Sequence, residues 1–308
     1  MFVRPSLLGG EEFGRGFRLQ TTWSWSMATA FFFGEIGAGL FFVSLVFGFP
    51  AGLVVGLLLT AVGKTAGHLV HLGQPTRAWR AIYRLNSSWI SRGLLAIVVF
   101  TGFGTLHILD IAGLTFGLLP HALSPVVTVL AGAAAVVVMV YQGFAMSHST
   151  AITLWSTGLM PIISFTYALL SGVSLIGVLA YDFELQNAAT LDVIRNGLVL
   201  YGLMALIGLL HSAKYNSPGG RLSAVLLSKA SFAKWFILLV MVVGLIVPGL
   251  LATLAPRSLL LELIVATAVL AGYYSFRVLL LKAAVYEPIQ SFLPETRLQR
   301  ASFFEGET

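Results

Sequence analysis

The chain has 308 residues, of which 57% are hydrophobic and 10% charged, with a mean hydropathy of +0.91. A soluble globule of this size needs about a quarter of its residues charged to cover its surface, so the composition excludes that class and points to an integral membrane protein. The chain contains no Cys, which excludes disulfides and cysteine-ligated iron–sulfur clusters within it. The net charge of +6 comes with no nucleic-acid motif and bears on membrane topology.

Apolar runs of about twenty residues recur along the chain, and a segment in lipid must satisfy its own backbone hydrogen bonds. The expectation is therefore all-α: a polytopic protein of about eight transmembrane helices in two four-helix bundles. Residues 1–23 form an N-terminal segment without an apolar core, so no cleavable signal peptide is predicted. The spans are predicted at 24–48, 51–72, 91–111, 122–144, 159–181, 195–213, 231–254 and 258–281. The first bundle is 24–144, the second 145–281, and 282–308 is a polar tail. A tight turn falls at Phe49-Pro50, longer basic connections at 73–90 and 214–230, and an acidic one at 182–194 with Asp182, Glu184 and Asp192.

Let side A be the face that holds the N-terminus, the even-to-odd connections and the C-terminus. Of the 18 Lys and Arg residues, 14 fall there: Arg4, Arg15, Arg18, Arg77, Arg80, Arg84, Arg92, Lys214, Arg221, Lys229, Lys234, Lys282, Arg297 and Arg300. Side B has Arg195 and Arg257, while Lys64 and Arg277 lie within spans. The positive-inside rule then puts side A and both termini in the cytoplasm, in an inner membrane.

The end of the second span carries the richest chemistry. His68 to Arg92 (HLVHLGQPTRAWRAIYRLNSSWISR) packs two His, four Arg, a Pro and two Trp at one interface. Polar groups are costly at that depth and so suggest a site. His68 and His71 share a helical face, and imidazole can exchange a proton near physiological pH. Gly73 is expected to cap the helix and Pro75 to block its continuation. Arg77, Arg80 and Arg84 then follow at helical spacing around Trp79 and Tyr83, which predicts a short interfacial helix with arginines outward and aromatics inward. Membrane anchoring explains most of these residues; a partner-docking surface is the sharper reading.

Glu35 on the first span and Lys64 on the second fall at similar depth on neighbouring helices. A buried ion pair between them is predicted, as a proton path or as a helix–helix staple. Tyr141, near the side A end of the fourth span, is expected at the depth of His71, where a phenol and an imidazole could grip the two carbonyls of a quinone. Trp23, Trp25 and Trp89 fit an aromatic belt as well as a ligand wall. Two rival readings stay open. A secondary transporter would use Glu35, Lys64 and Arg277 along a path, but paired helix breaks are not evident. A di-histidine cytochrome would need His68 or His71 to face His211; His107 has no evident mate.

The string HLGQPTRAW…SSWISR resembles the signature of the NrfD-like and DMSO-reductase-type membrane anchors, the integral subunits of polysulfide, DMSO and tetrathionate reductases and related molybdoenzymes. The N-terminal WSW with the glycine-rich stretch Gly34–Gly39, and VYQGF…LWSTGLMP, support it, so residues 20–165 carry most of the likeness. The resemblance implies an eight-helix anchor without haem, iron–sulfur cluster or metal of its own. Such an anchor exchanges electrons between menaquinone or ubiquinone and a ferredoxin-like iron–sulfur subunit, which connects to a molybdopterin catalytic subunit. The family's quinol-site histidine falls on His71 and its tyrosine on Tyr141. On this reading Arg77, Trp25, Trp89 and Arg92 complete the quinone site. Glu35, Lys64 and His68 form the proton path, and Arg77, Arg80 and Arg84 meet the partner. The chain departs from some relatives at Met27 and Ala30, where they have Asn and His, and at Gly93, where they have Glu. Many relatives place this loop in the periplasm; the charge pattern here argues for the cytoplasm.

Overall fold

The computed structural model describes residues 16–117, 119–181 and 188–287. Among the described residues, eight helices are long and apolar enough to cross a membrane: Trp25–Phe47, Pro50–His71, Trp89–Ile111, His121–Ser147, Leu159–Leu179, Ala189–Asn216, Ala233–Leu254 and Leu259–Lys282. They are called the first to eighth spans below. Arg4, Arg15, Asp182, Glu184 and the tail from 288, with Arg297 and Arg300, lie outside the described residues.

The first turn forms as its residues dictate. Gly48 caps the first span in the left-handed region (φ 65°), which glycine adopts without a Cβ penalty. Pro50 then opens the second span, where a missing N–H costs nothing. Gly73 does not play the same part. The second span ends at His71, and the chain leaves through Leu72 in extended conformation (φ −76°, ψ 124°).

Pro75 begins a 3-10 helix that runs to Arg84. Its period of three puts Arg77, Arg80 and Tyr83 in one row and Arg84 in another, so the α-helical spacing that aligned the three arginines does not hold. Nor do the aromatics turn inward: Trp79 is 56% and Tyr83 71% exposed. This segment presents rings and guanidinium groups alike at the side A surface.

Neighbouring spans pack within each half of the chain, and the first span also packs on the fifth and eighth and the fourth on the fifth. The first span packs on the second and fourth and the third on the second and fourth; the fifth span packs on the sixth and eighth and the seventh on the sixth and eighth. The first and fifth spans join the halves and are also the most buried, at 67% of their most apolar window. Their close approach has a sequence cause. A Cβ on Gly39 would overlap the Ala168 carbonyl, and one on Gly172 would meet the Gly39 backbone, so only glycine lets the two helices touch.

A two-stranded antiparallel ladder pairs Arg18 with Tyr286 and Leu19 with Val285, fastening both flanks of the bundle together on side A. Glu287, at the end of that ladder, accepts hydrogen bonds from Ser217 Oγ (2.9 Å) and the Gly219 amide (3.2 Å) at the start of helix Pro218–Ser228. A carboxylate satisfies the free amides of a helix N-terminus, so this contact anchors the side A loops.

Candidate quinone and proton-handling site

Span 1 runs away from side A and span 2 runs back, so residues of both helices meet within the side A half of the bundle. Nearest the surface, His71 is half-buried and its Nδ1 lies 3.3 Å from Ser26 Oγ, which in turn is 3.1 Å from Ser24 Oγ. The other ring nitrogen, Nε2, makes no hydrogen bond among the described residues. His68, one turn deeper and also half-buried, sets its ring edgewise to Phe31 at 6.4 Å.

Lys64 lies seven residues before His71, about 10 Å further along the helix axis. It is fully buried, and its Nζ has no hydrogen-bond partner among the described residues. The ammonium position faces two rings, 4.9 Å from the centre of Tyr141 and 5.8 Å from that of Phe31. Gly34 makes the notch it occupies, because a Cβ there would crowd Lys64 Cδ and Nζ and the Gln142 amide. Gln142 is itself buried, with Oε1 unpaired. Span 2 winds as a π-helix from Leu59 to Lys64, a local widening common at functional sites.

The predicted Glu35–Lys64 ion pair is not formed. Glu35 pairs instead with Arg277 of the eighth span, whose Nη2 contacts its carboxylate. Arg277 also donates to Ser164 Oγ (2.6 Å) and to the Tyr273 hydroxyl (3.0 Å). Both charges are almost wholly buried. The reason lies in geometry that depth alone does not capture. Side chains tilt toward their helix N-terminus, so Arg277 reaches inward and Glu35 outward until they meet. A planar guanidinium also has enough donors to satisfy a carboxylate, a serine and a tyrosine at once. Lys64, at a similar depth, points across the Gly34 notch toward Tyr141.

Tyr141 is buried at 5% exposure and lies level with Lys64, two turns deeper than His71 and not beside it as depth counting suggested. Its ring lies flat against Gly93: a Cβ at that position would overlap the ring edge. The glycine that stands where some relatives have Glu is thus the surface on which this tyrosine rests.

Near side A, Trp89 stacks on Phe144 (4.4 Å, 11°) and donates from Nε1 to His148 Nε2 at 3.1 Å. Arg92 covers the other part of Trp89 at 4.6 Å and donates to the carbonyls of Leu85 (2.9 Å) and Asn86 (2.7 Å). Trp25 is 63% exposed and has the posture of a belt tryptophan. Arg77, Arg80 and Arg84 are all exposed. His211 tilts against Tyr215 on its own helix (4.7 Å), and the sixth span packs on the fifth and seventh, not beside the second. Ser26, Ser164, Gln142 and the pairing of Arg277 were not foreseen. An isolated arginine in an apolar helix is a legible signal, but serines and a glutamine in spans are too common to stand out.

A comparison with family models matches residues 16–288 to NrfD, polysulphide reductase. The chain belongs to this family of polytopic membrane proteins, which are membrane subunits of quinone-interacting oxidoreductase complexes and generally partner with iron–sulfur and molybdoenzyme subunits. A search of the curated proteins finds no match.

Proposed function

We propose that this chain is the quinone-reactive membrane subunit of a molybdopterin oxidoreductase complex, exchanging electrons with an iron–sulfur subunit docked over side A. The observation that carries the reading is the cluster beneath His71: a buried lysine amine with no hydrogen-bond partner among the described residues, facing a buried tyrosine, beside a buried Glu–Arg pair. A group that costs about 3 kcal/mol to hold charged in a bilayer, with no salt bridge to offset it, serves something other than stability.

Menaquinone or ubiquinone, when bound, supplies a two-electron, two-proton couple. The residues present fit such a molecule. His71 Nε2 is left to bond a carbonyl oxygen or exchange a proton, while Ser26 fixes the ring through Nδ1. Tyr141 and Trp89 offer aromatic walls. Lys64, beside Tyr141 and with His68 above, holds or accepts a proton on the way inward, and Arg277 holds Glu35 in place. Arg92, tied to two carbonyls, shapes the entrance, and Arg77, Arg80 and Arg84 form the basic surface for the partner. Having no Cys, the chain exchanges electrons with clusters held by that partner. The excess of basic residues puts side A in the cytoplasm.

The test is His71→Ala in the assembled complex. Quinone-linked turnover falls at least about 100-fold, the usual contribution of a positioned proton-transfer group, while activity with an artificial dye at the catalytic subunit persists. Unaltered quinone kinetics in that variant would refute the role.

A further inference from the structure

A second ligand site opens on the far flank of the bundle. The seventh and eighth spans touch at Gly244 and Gly272: a Cβ on Gly244 would stand 2.7 Å from the Gly272 Cα. This crossing is nine residues beyond Trp235 and ten before Lys282, near mid-membrane. From there to side A the two helices part, and a cleft of about 360 Å³ lies between them. Leu239 and Val278 line it, with Trp235 on one wall, Ser275 on the other, and Ser231 and Lys282 at its mouth. Tyr274 holds one wall in place by sharing a hydrogen bond with Thr29 Oγ1 of the first span (2.9 Å).

The cleft is apolar inward and cationic outward. Lys282 is exposed, and Lys229 and Lys234 flank Ser231 in sequence, with Lys234 lying over the Trp235 ring at 5.6 Å. None of these three lysines forms a salt bridge among the described residues. Trp235 is 49% exposed, so the cleft faces lipid rather than the bundle interior. An apolar slot at the interface with Lys282 at its mouth, in a segment that also carries Lys229 and Lys234, complements one kind of molecule: an amphiphile with an anionic head and an acyl tail.

We propose that this cleft binds an anionic phospholipid, with its phosphate on Lys282 and Ser231 and one acyl chain along Trp235 and Leu239 to the glycine crossing. A quinone fits it poorly, since its neutral head gains nothing from the Lys282 ammonium and the lining offers no imidazole or carboxyl to exchange protons. A second copy of the chain would bring its own lysines against these. The proposal is independent of the quinone site on spans 1–4.

The experiment uses the full chain, delipidated in detergent, with phosphatidylglycerol, phosphatidylcholine of the same acyl chains and a short-chain quinone as probes. Binding is read by native mass spectrometry, by the shift in thermal midpoint and by Trp235 fluorescence. Phosphatidylglycerol binds and raises the midpoint, and phosphatidylcholine does so far less. Lys282→Gln, an exposed change that leaves the fold intact, weakens the phosphatidylglycerol effect about fivefold, the usual worth of one interfacial cation. Ser275→Phe, which fills the slot without altering charge, removes it. Equal response to both phospholipids, an unchanged preference in Lys282→Gln, or displacement of the phospholipid by the quinone overturns the assignment.

Discussion

At the side B end of the bundle, Arg195 and Arg257 face Glu262 and Asp192, two cations for two anions; in the side A half, Arg277 and Lys64 have Glu35 between them. In the side B network every charge has an ionic partner, although Nε of both arginines makes no hydrogen bond among the described residues. Arg195 reaches Glu262 at 2.7 Å and Asp192 at 3.4 Å, and Arg257 reaches the second Glu262 oxygen at 3.3 Å. In the side A network one cation is bonded and the other is not. Charges that neutralise one another lock helices together and are finished; a charge left over in a low-dielectric interior is a group whose proton is available. The same bundle thus holds a staple at one end and, on the proposed reading, a reactive cluster at the other.

The sharpest way to break this contrast is Glu35→Gln. It leaves Arg277 buried beside Lys64 with no counter-charge, and stability should fall by about 3–5 kcal/mol. Thermal unfolding of the purified chain measures it, and a small loss would show that the Arg277 pair is not what holds the cluster.

Glu262→Gln does the same to Arg195 and Arg257 but leaves Asp192. A loss of about 3 kcal/mol is expected, with quinone turnover per folded molecule unchanged. A turnover defect in that variant would extend the reactive region to side B and erase the distinction.

Lys64→Met should invert the pattern. Stability holds or rises, because an unpaired charge leaves the bilayer, while quinone turnover falls about 100-fold, equivalent to about 2.7 kcal/mol on the barrier. Lower stability with normal turnover would make Lys64 a structural group.

Gly93→Ala moves no charge and only pushes Tyr141 off its seat, at a cost of about 1–3 kcal/mol in packing. Turnover should fall less than in Lys64→Met. Comparing the two separates the amine from the ring it faces.

Much of this protein was legible before any coordinates. Composition and run length determined a membrane protein with eight helical spans, since a chain in lipid has to close its backbone hydrogen bonds within each crossing. The observed helix ends depart from the expected ones by a few residues, as with the sixth span, Ala189–Asn216 against 195–213. The string HLGQPTRAW pointed to the family that residues 16–288 match. Buried Glu35, Lys64 and Arg277 were each visible as a charge in an apolar run.

What the tertiary structure alone decided is which of these charges meet. Sequence reports depth along a helix to within a turn, but not the rotation of that helix about its axis. Rotation sends Arg277 to Glu35 and leaves Lys64 against Tyr141. The same ignorance of azimuth left unseen that Tyr141 faces Lys64, and why Gly34 and Gly93 are glycines. Hydrophobicity sets how far a residue stands from the water; only the packing of backbone on backbone, at contacts such as Gly39 with Ala168, sets which neighbour it faces.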